Sequence, residues 1–247
     1  MKLKAPDTIT FMQSGFCPGC GHGQAVRLVA EVMEEMGLSE KLIAVVDVAC
    51  GSLTIDMWRF DTIMAAHGRP IVSAIGAKKV RKANPVMAYI GDGAAYSIGM
   101  AETMHAAIRN NNVVVIVINN SVYGMTGGQC APTTLPNQKT TSTPYGKDPC
   151  KSGMPFRIEH ALSGIKIAYL ARAALCDVAN INKARKYIKK AFEKHMANEG
   201  LCFVELLSAC PTNLNMPPCH VADRIKDEVM AYFPVGEFQD NVKEGKR

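Results

Sequence analysis

Three stretches of this chain are apolar without alternation: Leu42–Cys50 (LIAVVDVAC), Val86–Ile90 (VMAYI) and Val113–Ile118 (VVVIVI). A strand that is apolar on both faces must be covered on both faces, which a parallel sheet achieves when helices cross over between its strands. Helical patterns lie where that arrangement needs them. Val26, Val29, Ala30, Met33 and Met36 repeat at helical spacing within Gln24–Gly37, and Gly37 is a stop signal. The later part of Ile71–Ala83 reads as a helix blocked by Pro85, and Ile98–Arg109 and the basic Asn182–Asn198 as two more. Further strands are expected at Ile165–Leu170 and Leu201–Cys210. The fold class is α/β, a mostly parallel sheet with helices on both faces, in a single domain over residues 1–247. Tyr123–Pro155, rich in Gly, Pro and Thr, reads as a long functional or interface loop, and the polar segment from about 238 to 247 as a flexible tail.

Apolar residues make up 48% of the chain and charged residues 20%, enough for a large core. The formal charge of +6 gathers in Lys183–Lys194 and in Lys78, Lys79, Arg81 and Lys82, which read as solvated helix faces. No basic stripe interleaved with aromatics is present, so nucleic acid is not an expected partner. The start, MKLKAPDTITF, has no hydrophobic signal core, and no apolar run reaches the roughly 18–20 residues that span a bilayer. A cytoplasmic protein without membrane contact is expected. Nine cysteines are too sparse and odd in number for a disulfide scaffold; in a reducing compartment they are free, metal-bound or redox-active, and several serve as small buried residues.

In parallel sheets ligands bind outside the carboxyl ends of the strands. Cys50, Gly91-Asp92-Gly93, Asn119-Asn120 and Cys210 each follow a predicted strand, so all four turns are expected on one rim. Glycines let the backbone approach a ligand and open a helix whose amides attract phosphate. Asp92, with an oxygen ligand from the Asn pair on the next strand, forms the sparse oxygen cage that suits magnesium carrying a diphosphate. A pair of unconnected turns is the plain structural alternative.

Cys17 and Cys20, in CPGCGHG, can clamp a metal from one turn. A thioredoxin-like dithiol would sit at a helix start after a strand; here Gly21-His22-Gly23 separates it from the expected helix and no clear strand precedes. Zinc would need two more close ligands, and no second C-x-x-C exists. A [4Fe–4S] cluster can draw its thiolates from distant segments. Cys50 and Cys210 stand on the expected rim; Cys202 starts its strand and belongs at the opposite edge; Cys176 reads as buried. Position alone leaves Cys130, Cys150 and Cys219 open.

GDG, 25 residues and NN together resemble the thiamine diphosphate signature. FCPGCGHG, DVACGS, AHGRP, YIGDGAAYSIG, VINNSVYGMTGGQCAPTT and ELLSACPTN, in that order, make nearly the whole chain similar to the β subunit of the 2-oxoacid:ferredoxin oxidoreductases. The resemblance implies a thiamine diphosphate-binding domain with an N-terminal iron–sulfur segment over residues 1–23. It implies Cys17, Cys20, Cys50 and Cys210 as [4Fe–4S] ligands, and Asp92, Asn120 and the carbonyl of Val122 as Mg2+ ligands. Val48, Ala49, Cys50, Gly51, His67, Gly91, Gly93, Ala94, Gly124 and Met125 would line thiamine diphosphate, with His67 and Met125 also readable as a turn histidine and a core residue. The implied reaction is CoA-dependent oxidative decarboxylation of a 2-oxoacid to acyl-CoA and CO2, with electrons passing through the cluster to ferredoxin.

Ala94 and Ala95 stand where several relatives carry an acid or larger polar residue after GDG, and Leu53 stands where some carry a lysine. Gly124–Gln129 reads GMTGGQ where some read GLTKGQ. These positions bear on the substrate; the GMTGGQ and TTSTPYG run most resembles small β subunits assigned to 2-oxoglutarate or branched-chain 2-oxoacids. No activating glutamate is found: Glu31, Glu34 and Glu35 read as solvated and Glu102 as structural, so a partner α subunit, with γ and δ subunits beside it, is expected to supply that residue. The rival readings are a zinc-stabilised interaction subunit and a thiol–disulfide oxidoreductase built on Cys17 and Cys20. A non-oxidative thiamine decarboxylase would leave the cysteines unexplained.

Overall fold

A computed structural model describes residues 5–10 and 14–242. Its main sheet has seven strands: β1 (Ile43–Asp47), β2 (Asp61–Ala65), β3 (Val86–Gly91), β4 (Val114–Asn119), β7 (Tyr169–Ala174), β8 (Cys202–Leu207) and β9 (Gly236–Asp240). Between β4 and β7 a small antiparallel ribbon pairs β5 (Val122–Tyr123) with β6 (Gln129–Cys130). The sheet order is β2-β1-β3-β4-β8-β7-β9, parallel throughout except where β9 runs antiparallel to β7.

Every residue of β1, β4, β7 and β8 is buried, as strands without alternation require. Ala44 and Val46 of β1 face a core with α1 (Gly21–Glu35) and the long helix Val178–Met196; Ile43 and Val45 face the opposite core with α2 (Pro70–Val80) and α3 (Met100–Ile108). The two faces together make the helix–sheet–helix layering.

Several boundaries differ from the sequence reading. The strand expected at Ile165–Leu170 begins at Tyr169, because Ile165 closes a turn back to Leu162. β2 was not anticipated: DTIMA is an edge strand, exposed along most of its length, and carries no buried-strand pattern. The flexible tail expected from about 238 is instead strand up to Asp240, held by pairing to β7 and by Gln239, whose side chain donates to the carbonyls of Leu162 and Ile165. Residues 243–247 of that expected tail lie outside the described residues. The Tyr123–Pro155 segment is irregular apart from the ribbon and a four-residue helix at Pro149–Ser152.

The helix expected from Gln24 starts at Gly21, with Cys20 as its N-cap residue. Gly21 permits that start: its amide donates to Ser208 Oγ at 3.2 Å, and a Cβ there would stand 2.3 Å from the same oxygen. This contact seats the Cys17–Cys20 turn beside the end of β8.

Candidate functional site

Parallel strands leave their carboxyl ends on one edge, and the residues that follow them line a cavity of about 280 Å³. Val48, Ala49, Cys50 and Gly51 come from the end of β1, and His67 from the end of β2. Gly91 closes β3 and Asp92, Gly93 and Ala94 follow it, Asn120 and Val122 follow β4, and Gly124 and Met125 lie in the ribbon turn. The residues expected to line the cofactor and the oxygen cage thus share one cavity. His22, Asp47, Tyr123 and Thr126 line it too. These four were not singled out from sequence; for Asp47 the available signal was an acid inside an otherwise apolar strand.

Asp92 is a buried carboxylate that meets no cation among the described residues. Its Oδ2 accepts from the Ser121 amide at 3.0 Å and from the Thr133 hydroxyl. Burial, with Glu205 nearby adding to it, pushes its carboxyl up to about 7 against the pull of the Thr133, Gly93 and Ser121 hydrogen bonds. Ser121, in the left-handed region at φ 63°, turns its amide to this acid, its own buried Oγ has no partner, and Asn120 before it lines the same cavity. A buried acid without a counter-charge, next to an orphaned hydroxyl and an amide oxygen, is a donor set suited to a hard divalent cation.

The thiols of Cys17, Cys20, Cys50 and Cys210 are close enough to repel one another. The Cys20 thiol is pushed up to about 12, mainly by burial and further by Cys50, Cys210 and Cys17; Cys50 is pushed up to about 11 by burial, Cys210 and Cys17. Gly124 leaves the space between them open: a Cβ there would sit 3.2 Å from Cys50 Sγ and 3.7 Å from Cys210 Sγ. Among the described residues, no three His, Cys, Asp or Glu side chains converge tightly enough to hold one metal ion. A cluster places each thiolate on a different iron and so needs a wider set.

The other cysteines are elsewhere. Cys202 is buried at the start of β8, at the far edge as expected. Cys176 is half-buried, not buried as the sequence suggested, because it lies at the strand–helix junction against Asp177 and Met230. Cys130, Cys150 and Cys219 are partly or fully exposed.

Two histidines border the cavity. His22, inside the CPGCGHG stretch, is buried with Nδ1 2.8 Å from the Tyr89 hydroxyl; burial pushes it down to about 4, so it is neutral at physiological pH. His67 Nδ1 meets Asp47 Oδ2 at 2.9 Å. Tyr123 donates its hydroxyl to the Gly93 carbonyl at 3.1 Å and so lies across the GDG turn.

No glutamate is among the lining residues. Glu31 and Glu35 pair with Arg185, Glu34 accepts from the amide and hydroxyl of Thr8, and Glu102 pairs with Arg69. Glu205 is buried and engaged with Arg172, Tyr96 and Asn119.

Residues 43–206 match the family described as thiamine pyrophosphate enzyme, C-terminal TPP binding domain. The ketoisovalerate oxidoreductase subunit VorA of Methanothermobacter thermautotrophicus is 37% identical over 93% of this chain and 48% of its own length. The 2-oxoglutarate synthase subunit KorB of Methanocaldococcus jannaschii is 33% identical over 91% of this chain and 87% of its own. The chain therefore spans about half the length of the ketoisovalerate relative and most of the 2-oxoglutarate one. Among solved structures, a 2-oxoglutarate:ferredoxin oxidoreductase from Magnetococcus marinus, with 2-oxoglutarate, coenzyme A and succinyl-CoA bound, superposes with TM-score 0.80 at 25% identity, covering 98% of this chain and 87% of that one.

Proposed function

This chain belongs to the thiamine pyrophosphate-binding β-subunit family of the 2-oxoacid:ferredoxin oxidoreductases, and from that membership we propose that it forms the cofactor-holding half of a CoA-dependent 2-oxoacid oxidoreductase. The observation that carries the proposal is that Cys50 and the uncompensated Asp92 carboxylate line one cavity, with the Cys17, Cys20 and Cys210 thiols grouped around Cys50. When bound, thiamine diphosphate supplies an electron sink for decarboxylation, and a [4Fe–4S] cluster supplies one-electron storage on the way to ferredoxin.

The chain's own residues hold and orient. Asp92, Asn120 and the Val122 carbonyl would carry Mg2+ and through it the diphosphate, whose charge answers the open glycine-rich turn at Gly91–Gly93. Val48–Gly51 and Gly124–Met125 would wall the thiamine ring side. The four cysteines would ligate the cluster next to it, with buried neutral His22 and Tyr89 behind them excluding water from that wall. The glutamate that activates the cofactor would come from an α subunit, and γ and δ subunits would complete a cytoplasmic assembly. The substrate is 2-oxoglutarate or a branched-chain 2-oxoacid, a choice supported by the GMTGGQ stretch and by the names of the relatives.

Anaerobic co-purification with partner subunits tests this. Expected are a brown protein with iron and acid-labile sulfide, bound thiamine diphosphate, and CoA-dependent reduction of a low-potential acceptor with one member of a 2-oxoacid panel. The chain alone should be inactive. Colourless, zinc-containing protein without thiamine diphosphate would favour an interaction subunit instead, and full activity from the isolated chain would refute the division of labour.

A further inference from the structure

Asp47 ends β1 with no exposed surface and with both carboxylate oxygens in use. Oδ1 accepts from the Gly68 amide at 2.8 Å and Oδ2 meets His67 Nδ1 at 2.9 Å. Facing a carboxylate, Nδ1 carries the ring hydrogen, which leaves the lone pair on Nε2. Asp47 is the one hydrogen-bond partner of the His67 ring among the described residues, while the ring, about a third exposed at 35%, lines the cavity shared with Asp92 and Tyr123. The turn that presents the ring is fixed. Gly68 is left-handed at φ 77°, and a Cβ there would stand 2.4 Å from Ile98. Arg69 is bound to Glu102 and to the Ile98 carbonyl, so it does not compete for Asp47.

A buried carboxylate that sets a ring tautomer, with the second ring nitrogen open to a ligand cavity, is the arrangement of a general base and the group that orients it. We propose that His67 Nε2 is the proton acceptor of this cavity and that Asp47 is its positioning residue. The proton comes from the weakly acidic S–H group of bound coenzyme A; that identity rests on the function proposed above. The X–H bond breaks, its electron pair stays on the substrate atom, a new N–H bond forms on Nε2, and the imidazolium is held against the Asp47 carboxylate while Nδ1 keeps its hydrogen. The partly exposed imidazolium then releases that proton to solvent, so His67 returns to its starting form and no oxidant or co-reactant is consumed.

The first test is 15N NMR of the 247-residue chain labelled at histidine, with the His67 signals assigned by their loss in H67Q. The Nδ1–H tautomer is expected. In D47N the amide oxygen stays on the Gly68 amide, so the NH2 group faces Nδ1 and the ring converts to the Nε2–H tautomer. Thiamine diphosphate affinity is measured by calorimetry on the assembled enzyme; at saturating cofactor, D47N and H67Q should each lower turnover by about 10²–10⁴-fold. In single turnovers, a loss seen only when coenzyme A is present is expected, and an equal loss with the 2-oxoacid alone overturns the S–H assignment.

A wild-type ring in the Nε2–H form, or D47N enzyme that turns over normally once loaded, overturns the pair. The tautomer measurement needs no cofactor. If it behaves as expected but calorimetry finds no thiamine diphosphate binding, the proposed function fails and the positioning of His67 by Asp47 stands.

Discussion

Gly93→Ala is the smallest change that should damage the cavity. Gly93 has φ −60° and ψ −38°, so alanine meets no backbone strain. The difficulty is lateral: the new Cβ would lie 2.4 Å from Tyr123 Cε1, 2.7 Å from Cδ1 and 2.9 Å from Cζ. The ring cannot swing away freely, because its hydroxyl donates to the Gly93 carbonyl at 3.1 Å. Overpacking of this kind costs about 1–3 kcal/mol. Losing the hydrogen bond as the ring leaves adds about 1 kcal/mol. A loss near 3 kcal/mol is expected, together with at least a tenfold weaker hold on thiamine diphosphate, since a displaced ring would crowd the space it shares with His67, 6.4 Å away between ring centroids. Urea denaturation and calorimetry of the wild type, G93A, Y123A and G93A/Y123A form a double-mutant cycle. With the ring absent, the alanine at position 93 should cost less than about 0.5 kcal/mol, which gives a coupling of about 2–3 kcal/mol. An equal cost in both backgrounds would refute the steric explanation.

Two further outcomes follow from the same coordinates. Replacing Cys17, Cys20, Cys50 or Cys210 singly by serine should remove most of the iron and acid-labile sulfide from anaerobically purified enzyme, whereas C202S, at the opposite edge of the sheet, should keep both; metal analysis with the visible spectrum decides. His195 is buried neutral, accepting from the Val86 amide at 3.0 Å with Nδ1 3.1 Å from Asn112 Oδ1, and burial pushes it down to about 3. Above its unfolded value of 6.5 it is neutral in both states; below, the unfolded chain gains a proton that the folded chain refuses. Stability should therefore fall by about 1.4 kcal/mol per pH unit from 6.5 towards 3, roughly 3 kcal/mol between pH 7 and 4.5. The H195Q variant should lose that part of the acid sensitivity in urea titrations across this range.

The rim was legible because buried parallel strands announce themselves. β1, β3, β4 and β8 carry apolar residues on both faces, and counting to where each run breaks locates Cys50, Asp92, Asn120 and Cys210. β2 and β9 escaped because edge strands share neither pattern: β2 exposes Ile63 and Met64, and β9 holds its place through Gln239 and pairing to β7. The Cys17–Cys20 segment was legible as a tight turn but not as the cap of α1, since its helix start depends on Ser208, 187 residues away. Asp47 was passed over because a lone acid in an apolar strand discloses its purpose only once His67 and Gly68 are folded back onto it.

The fold places the C-x-x-C turn in surroundings that its spacing does not disclose. With α1 starting at Gly21, Cys20 occupies the helix N-terminus that a redox dithiol requires, so position by itself would favour a dithiol. The Cys20 thiol, however, is raised by burial and by the Cys50, Cys210 and Cys17 sulfurs near it, so the turn is one part of a four-sulfur group wider than a dithiol. The fold treats its buried charges differently elsewhere. Arg172 is clamped between Glu159 and Glu205 and covered by Phe233 and Phe238, so each buried acid there has its cation in the chain. Around the cavity Cys20, Cys50 and Asp92 have none among the described residues. A chain able to neutralise Glu159 and Glu205 internally leaves Asp92 without a counter-charge of its own, which under the proposed function a divalent ion would supply.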